Sequence, residues 1–154
     1  MNIQKHRLLI DQIDKKLSDF KPIQNITSPH KGWINSIRVA MKMTLRQLGN
    51  RLGISAQSVK EIEEREISGS ITLNSLRETA NALDMQFVYG FVPKNESIEK
   101  MIERKAHEKA IEIVMRTSQN MKLEDQENSN ERINKAIKNK TEEIKNKLPK
   151  YLWD

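Results

Sequence analysis

"LGNRLGISAQSVKEIEERE" occupies residues 48–66. Its apolar residues fall at Leu48, Leu52, Ile54, Val59 and Ile62, and two glycines interrupt them. This spacing predicts two short helices that cross at a sharp bend over Gly53-Ile54. A bend of that kind needs a left-handed backbone at its first residue, hence Gly53. Ser55 has the chemistry of an N-cap for the second helix. Thr44 caps the first, and Gln47 three residues later completes a capping-box pattern. Gly49 sits inside the first helix, where Gly costs about 1 kcal/mol relative to Ala. That cost points to a close helix approach, with the second helix packed tightly on the first at Gly49. Leu48, Leu52, Ile54, Val59 and Ile62 would form the shared core, leaving Ala56, Gln57, Ser58, Lys60 and Glu61 outward. Small polar residues at a helix start fit a major groove without bulk, and Gln can pair with adenine through two hydrogen bonds.

Outward from this stretch, the apolar stripe Leu8, Leu9, Ile13 and Leu17 predicts a helix over 3–19. "KPIQNITSPHKG" (21–32) carries two Pro and a Gly and reads as a linker. Trp33, Ile34, Ile37 and Met41 place a helix at 33–41, and Leu73, Leu76, Ala80 and Leu83 place another before Asp84. Residues 85–92, "MQFVYGFV", are rich in β-formers and closed by Pro93, which predicts one short strand. A long helix with Ile98, Met101, Ile102, Ala106, Ala110, Ile113 and Val114 follows over 95–120. "KLEDQENSN" (122–130) reads as a polar loop. A last helix over 130–148 carries Ile133, Ile137, Ile144 and Leu148. The expected organisation is a mainly α chain in three parts: an N-terminal helix and linker at 1–32, a central domain at 33–93, and a helical extension at 94–154.

Composition narrows the function. The 154 residues hold no Cys, which excludes disulfides and thiolate metal sites. His6, His30 and His107 lie in separate segments without ligand spacing, so no metal is expected. No phosphate loop, nucleophile motif or dinucleotide fingerprint is present, so neither a cofactor nor an enzyme is expected. The N-terminus breaks its apolar residues with charge. It therefore reads as neither signal peptide nor membrane span, and the chain reads as cytoplasmic. The net charge is +6 and unevenly placed. Residues 1–54 hold 10 Lys/Arg against 3 Asp/Glu, residues 55–94 hold 4 against 6, and residues 95–154 hold 13 against 12. A basic N-terminal third beside a candidate recognition helix suggests a polyanion partner.

"TLRQLGNRLGISAQSVKEIE" (44–63) resembles the phage-repressor-like, or XRE-type, helix-turn-helix family over roughly residues 33–84. The resemblance implies sequence-specific binding of double-stranded DNA as a homodimer. It also implies a structural pair between an Arg on the first helix, here Arg38, and the Glu closing the recognition helix, here Glu63. Leu45 stands where many members carry a phosphate-binding Gln, which leaves Arg46 or Gln47 for that contact. Thr44, Arg46, Gln47, Ser55, Gln57, Ser58, Lys60 and Glu61 are the candidate DNA-facing residues. Arg46 and Lys60 suit phosphate or guanine, Gln57 and Ser58 suit base edges, and Glu61 suits a cytosine amine.

Over nearly its whole length the chain is similar to the family called mobile mystery protein A. "KGWI", "ITLNSLRETANALDMQFVYGFVP", "MKLEDQ" and the closing "YLWD" carry that likeness. It implies transcriptional control, as a repressor associated with a mobile element. It also implies an alternative role as an antitoxin-like partner of a Fic/Doc-domain protein, mobile mystery protein B. The chain has no Fic catalytic motif. It also has no Ser or Thr followed four residues later by Glu, as an inhibitory helix of such systems presents.

Two structural expectations remain. The strand at 85–92 needs a backbone partner, and pairing across a dimer would supply one. The extension should pack on the N-terminal helix or on a second subunit, with Trp153 at least partly buried.

Overall fold

The computed structural model of the chain describes residues 2–94, 96–123 and 129–154. It is mainly helical: α1 (Ile3–Ser18), α2 (Trp33–Ala40), α3 (Leu45–Leu52), α4 (Ala56–Ser68), α5 (Leu73–Ala82), α6 (Ile98–Leu123) and α7 (Asn130–Lys147). Short 3-10 turns lie at Lys21–Asn25 and Lys150–Trp153. The chain divides into two compact units, one of residues 25–90 and one joining residues 1–24 to 91–154. Residues 124–128 of the expected polar loop lie outside the described residues. No described helix is long and apolar enough to cross a membrane.

Residues 25–90 contain α2 to α5, each between 8 and 13 residues long. Helices shorter than about 12–15 residues are marginal alone in water, so packing and capping must hold them. Ile34, Leu48, Val59 and Leu83 form the buried core, flanked by Ile37, Met43, Leu45, Leu52, Ile62, Ile71, Leu76 and Ala82. Three helix starts are capped from their own sequence. The Thr44 hydroxyl accepts from the Gln47 N–H (3.1 Å), Ser55 from Ser58 (3.1 Å) and Thr72 from Ser75 (3.1 Å). Gln47 Oε1 accepts in turn from the Thr44 N–H at 2.8 Å, closing the capping box.

The second unit is built from α1, α6, α7 and the C-terminal turn. Ile102, Ala106, Ala110, Ile144 and Leu152 are buried together, and Ile10, Ile98, Ile113, Ile137 and Leu148 pack against them. Ala106 and Ala110 lie one turn apart on α6 and are wholly buried. Their small side chains let α7 approach α6 closely. The Asp14 carboxylate on α1 accepts from the N–H groups of Ile98 (2.8 Å) and Glu99 (3.2 Å), satisfying two free donors at the start of α6. The extension therefore packs on the N-terminal helix.

Two expectations are corrected. Among the described residues there is no strand, and residues 85–92 have no regular structure. β-propensity alone does not make a strand, because the backbone also needs a ladder partner. Trp153 is exposed at 60%, and its neighbour Leu152 is the wholly buried residue. The 3-10 turn after Pro149 rotates Leu152 inward and leaves the bulkier ring in solvent.

Candidate nucleic-acid interface

The bend forms as its residues require. Gly53 has φ 70° and ψ 30°, a left-handed conformation that ends α3. The Ile54 N–H then donates back to the Gly49 carbonyl at 2.9 Å. A Cβ on Gly49 would lie 2.6 Å from the Ile54 carbonyl oxygen, so the close approach is made by the turn and not, as expected, by the second helix. Leu48 and Val59 are wholly buried. Ile54 is not part of that core: it is 37% exposed, because the turn carries its side chain outward.

The orientation of α4 is fixed from behind by two carboxylates. Arg38 grips Glu63 bidentately, with Nε to Oε1 at 2.5 Å and Nη2 to Oε2 at 3.3 Å. The two side chains are 11% and 8% exposed, so the pair is nearly out of water. Asn35 donates a further bond to Glu63 Oε2 at 2.9 Å, and Arg38 Nη1 donates to the Met43 carbonyl at 2.9 Å. Burying charges is tolerable only when their remaining valences are met in this way. Glu66, one turn further along α4, accepts from the N–H groups of Trp33 and Ile34 at 2.8 Å each. It caps α2, whose own N-cap residue is Gly32 with φ 82°. A Cβ on Gly32 would meet Glu66 Oε1 at 2.9 Å, so the missing side chain makes room for the carboxylate.

With α4 anchored on this side, Gln57, Lys60 and Glu61 are exposed on its surface, and Ser58 is half-buried. The Ser58 hydroxyl accepts from the Ser55 hydroxyl at 2.9 Å, so both are partly engaged in the cap. Thr44, Arg46 and Gln47 are exposed at the start of α3, where Thr44 and Gln47 bond to each other. Among the described residues, the side chains of Arg46, Gln57, Lys60 and Glu61 make no hydrogen bond or ion pair.

No protein-family model, curated protein or solved structure matches the chain. The site's chemistry therefore rests on its geometry. Sequence reasoning missed three of its parts. Glu66 and Asn35 complete the anchoring of α4; the signal for Glu66 is its three-residue spacing from Glu63, which puts both carboxylates on one helix face. Lys42 was also missed. It lines a shallow cleft with Gln47, Asn50 and Arg51, and its φ of 55° marks the tight turn between α2 and α3. Arg51 is engaged there, donating to the Ala82 carbonyl at 3.0 Å and reaching Asp84 at 3.4 Å.

Proposed function

We propose that this chain is a sequence-specific DNA-binding regulator of the helix-turn-helix type, acting in the cytoplasm as a repressor without catalytic activity. The observation that carries the reading is the start of α4. Its backbone is capped by Ser55, α4 is anchored further along by Glu63 and Glu66, and the first turns offer Gln57, Lys60 and Glu61 with no internal partners. Anchored, unpartnered polar groups at a helix start are what major-groove readout requires. Gln57 serves a base edge. Lys60, Arg46 and Lys42 serve phosphates or guanine, and the free amide nitrogen of Gln47 suits a phosphate oxygen. The likeness to mobile mystery protein A supports the same reading.

The test is titration of the native upstream duplex and a scrambled duplex. Gln57→Ala should weaken binding to the native site by roughly 1–3 kcal/mol and leave the scrambled duplex unaffected. Equal losses on both would make Gln57 a non-specific contact. No binding of either duplex by the wild-type chain would overturn the reading. Capture of a Fic/Doc-domain protein would then favour the antitoxin-like alternative.

A further inference from the structure

A cleft in the second unit is lined by charges that the fold leaves unpaired. It lies against α1, α6 and α7, has a volume of about 390 Å³ and falls wholly within residues 1–24 and 91–154. That volume is in the range of small-molecule sites, roughly 300–1,000 Å³. Its apolar lining is Ile10, half-buried, and Ile102, 6% exposed. Around them stand the cations Arg7 and Lys145 and the carboxylates Asp11, Glu99 and Glu142. Among the described residues none of these five joins an ion pair, although pairs at three- and four-residue spacings close elsewhere on α6 and α7. Arg7 with Asp11, and Glu142 with Lys145, have those same spacings and stay open. Arg7 donates instead to Asn146 Oδ1, tying α1 to α7.

The two signs are also separated. A smaller cleft of about 180 Å³ adjoins the first through Arg7, Ile10 and Lys145. It adds His6 and Lys147, the latter paired with Glu143 at 3.2 Å, and no carboxylate. Cations therefore gather toward one end of the groove and free carboxylates toward the other.

This pattern selects the occupant. A polyanion would meet three carboxylates, and a polyamine would meet Arg7 and Lys145. Among the described residues no three acidic or histidine side chains are placed to hold a metal ion, so the carboxylates do not form a cage for one. A molecule with a carboxylate at one end and an ammonium at the other satisfies both sets through charge-assisted hydrogen bonds. Arg7 and Asp11 are four residues apart, about 6 Å along a helix. The charges of the ligand must be separated by a comparable distance, which a chain of four methylenes spans. Ile10 and Ile102 between them suit methylenes, whereas a peptide group there would lose its hydrogen bonds to water without replacement.

We propose that this cleft binds a linear ω-amino acid, with its carboxylate on Arg7 and Lys145 and its ammonium among Asp11, Glu99 and Glu142. The proposal does not rest on the DNA-binding reading.

Calorimetric titration of the full chain with the unbranched ω-amino acids of four, five and six carbons tests it. At least one should bind saturably and slow hydrogen exchange in α1, which has no fully buried residue of its own. Pentanoate and pentylamine, with one charge each, should bind about tenfold more weakly or less, because each forfeits one set of charge-assisted bonds. Lys145→Met and Glu142→Gln should each weaken binding about tenfold while helical circular dichroism is kept. Saturable binding by none of the three acids would overturn the proposal. So would equal binding of pentanoate or pentylamine, or affinity unchanged by both substitutions. Tighter binding of diglycine than of the five-carbon acid would overturn the aliphatic assignment in favour of peptide termini.

Discussion

The two units of the chain reach a helical fold by different means. In residues 25–90, helices of 8 to 13 residues are fixed by punctuation: hydroxyl caps, two left-handed glycines and a buried charge network. In the other unit, α6 and α7 run for 26 and 18 residues and are held by a long apolar seam with alanines at its centre. Their ion pairs, such as Lys100–Glu103 and Arg116–Glu112, lie on exposed faces. The comparison teaches where charge matters. A pair near the bend sets the pose of a helix, whereas pairs on the long helices decorate a surface that packing has already determined.

The largest effect expected from this difference is at Arg38. Arg38→Met removes both guanidinium contacts to Glu63 and leaves a carboxylate that is nearly out of water. The loss should be about 3–5 kcal/mol, while replacing both members with apolar residues of similar volume should be close to neutral. Chemical denaturation of the single and double variants measures this. A single-variant cost under about 1 kcal/mol would place the pair in the class of exposed pairs and erase the contrast between the units.

The same contrast explains what was legible in the sequence. The bend between α3 and α4 could be read because its signals are local: Thr44 with Gln47, Gly53 and Ser55 each act within a few residues. The seam of the second unit could be read from the period of Ile98, Ile102, Ala106 and Ala110. Contacts between distant residues could not be read this way. Nothing near Ile98 announces that Asp14 will cap it, and nothing near Gly32 announces Glu66. The misplacements of Ile54 and Trp153 have a related cause. Apolar character was read as burial, but a tight turn decides which of two adjacent side chains faces in. The expected strand had the right composition for a ladder, but composition says nothing about where a partner is.

An intermediate effect is expected at two remote caps, one within each unit. Glu66→Ala leaves the N–H groups of Trp33 and Ile34 without acceptors, and Asp14→Ala does the same to Ile98 and Glu99. Each substitution should cost about 0.5–2 kcal/mol, the usual range for a lost N-cap. The comparison is sharpened by where the loss appears. Hydrogen exchange should rise in α2 for the first variant and at the start of α6 for the second. α2 has 8 residues and a glycine N-cap, so it should open over most of its length. α6 keeps the Ser97 hydroxyl, which accepts from the Lys100 N–H at 3.1 Å, and should fray only in its first turn. Equal and uniform opening in both units would mean that the caps act only through global stability.

The smallest effect should come from Glu143 on α7. Hydrogen bonds from Lys147, then Lys140, together with the charges of both, hold its carboxyl below the ordinary value of 4.5. The contacts are 3.2 Å to Lys147 and 3.3 Å to Lys140, one on each carboxylate oxygen. A carboxylate whose pKa is lower in the folded chain adds stability above its unfolded value. That stability fades as pH falls through the depressed folded value. The sign is therefore fixed: Glu143→Gln should lower the thermal midpoint at neutral pH and make no difference once the carboxylate is protonated. The size must be small, because water and salt screen an exposed pair and ordering two long lysines opposes it. Thermal unfolding of wild type and variant at neutral and acidic pH, in low and high salt, measures both properties. A midpoint drop comparable to that of Arg38→Met, or one insensitive to salt, would show that charge on α7 does the structural work assigned here to the apolar seam.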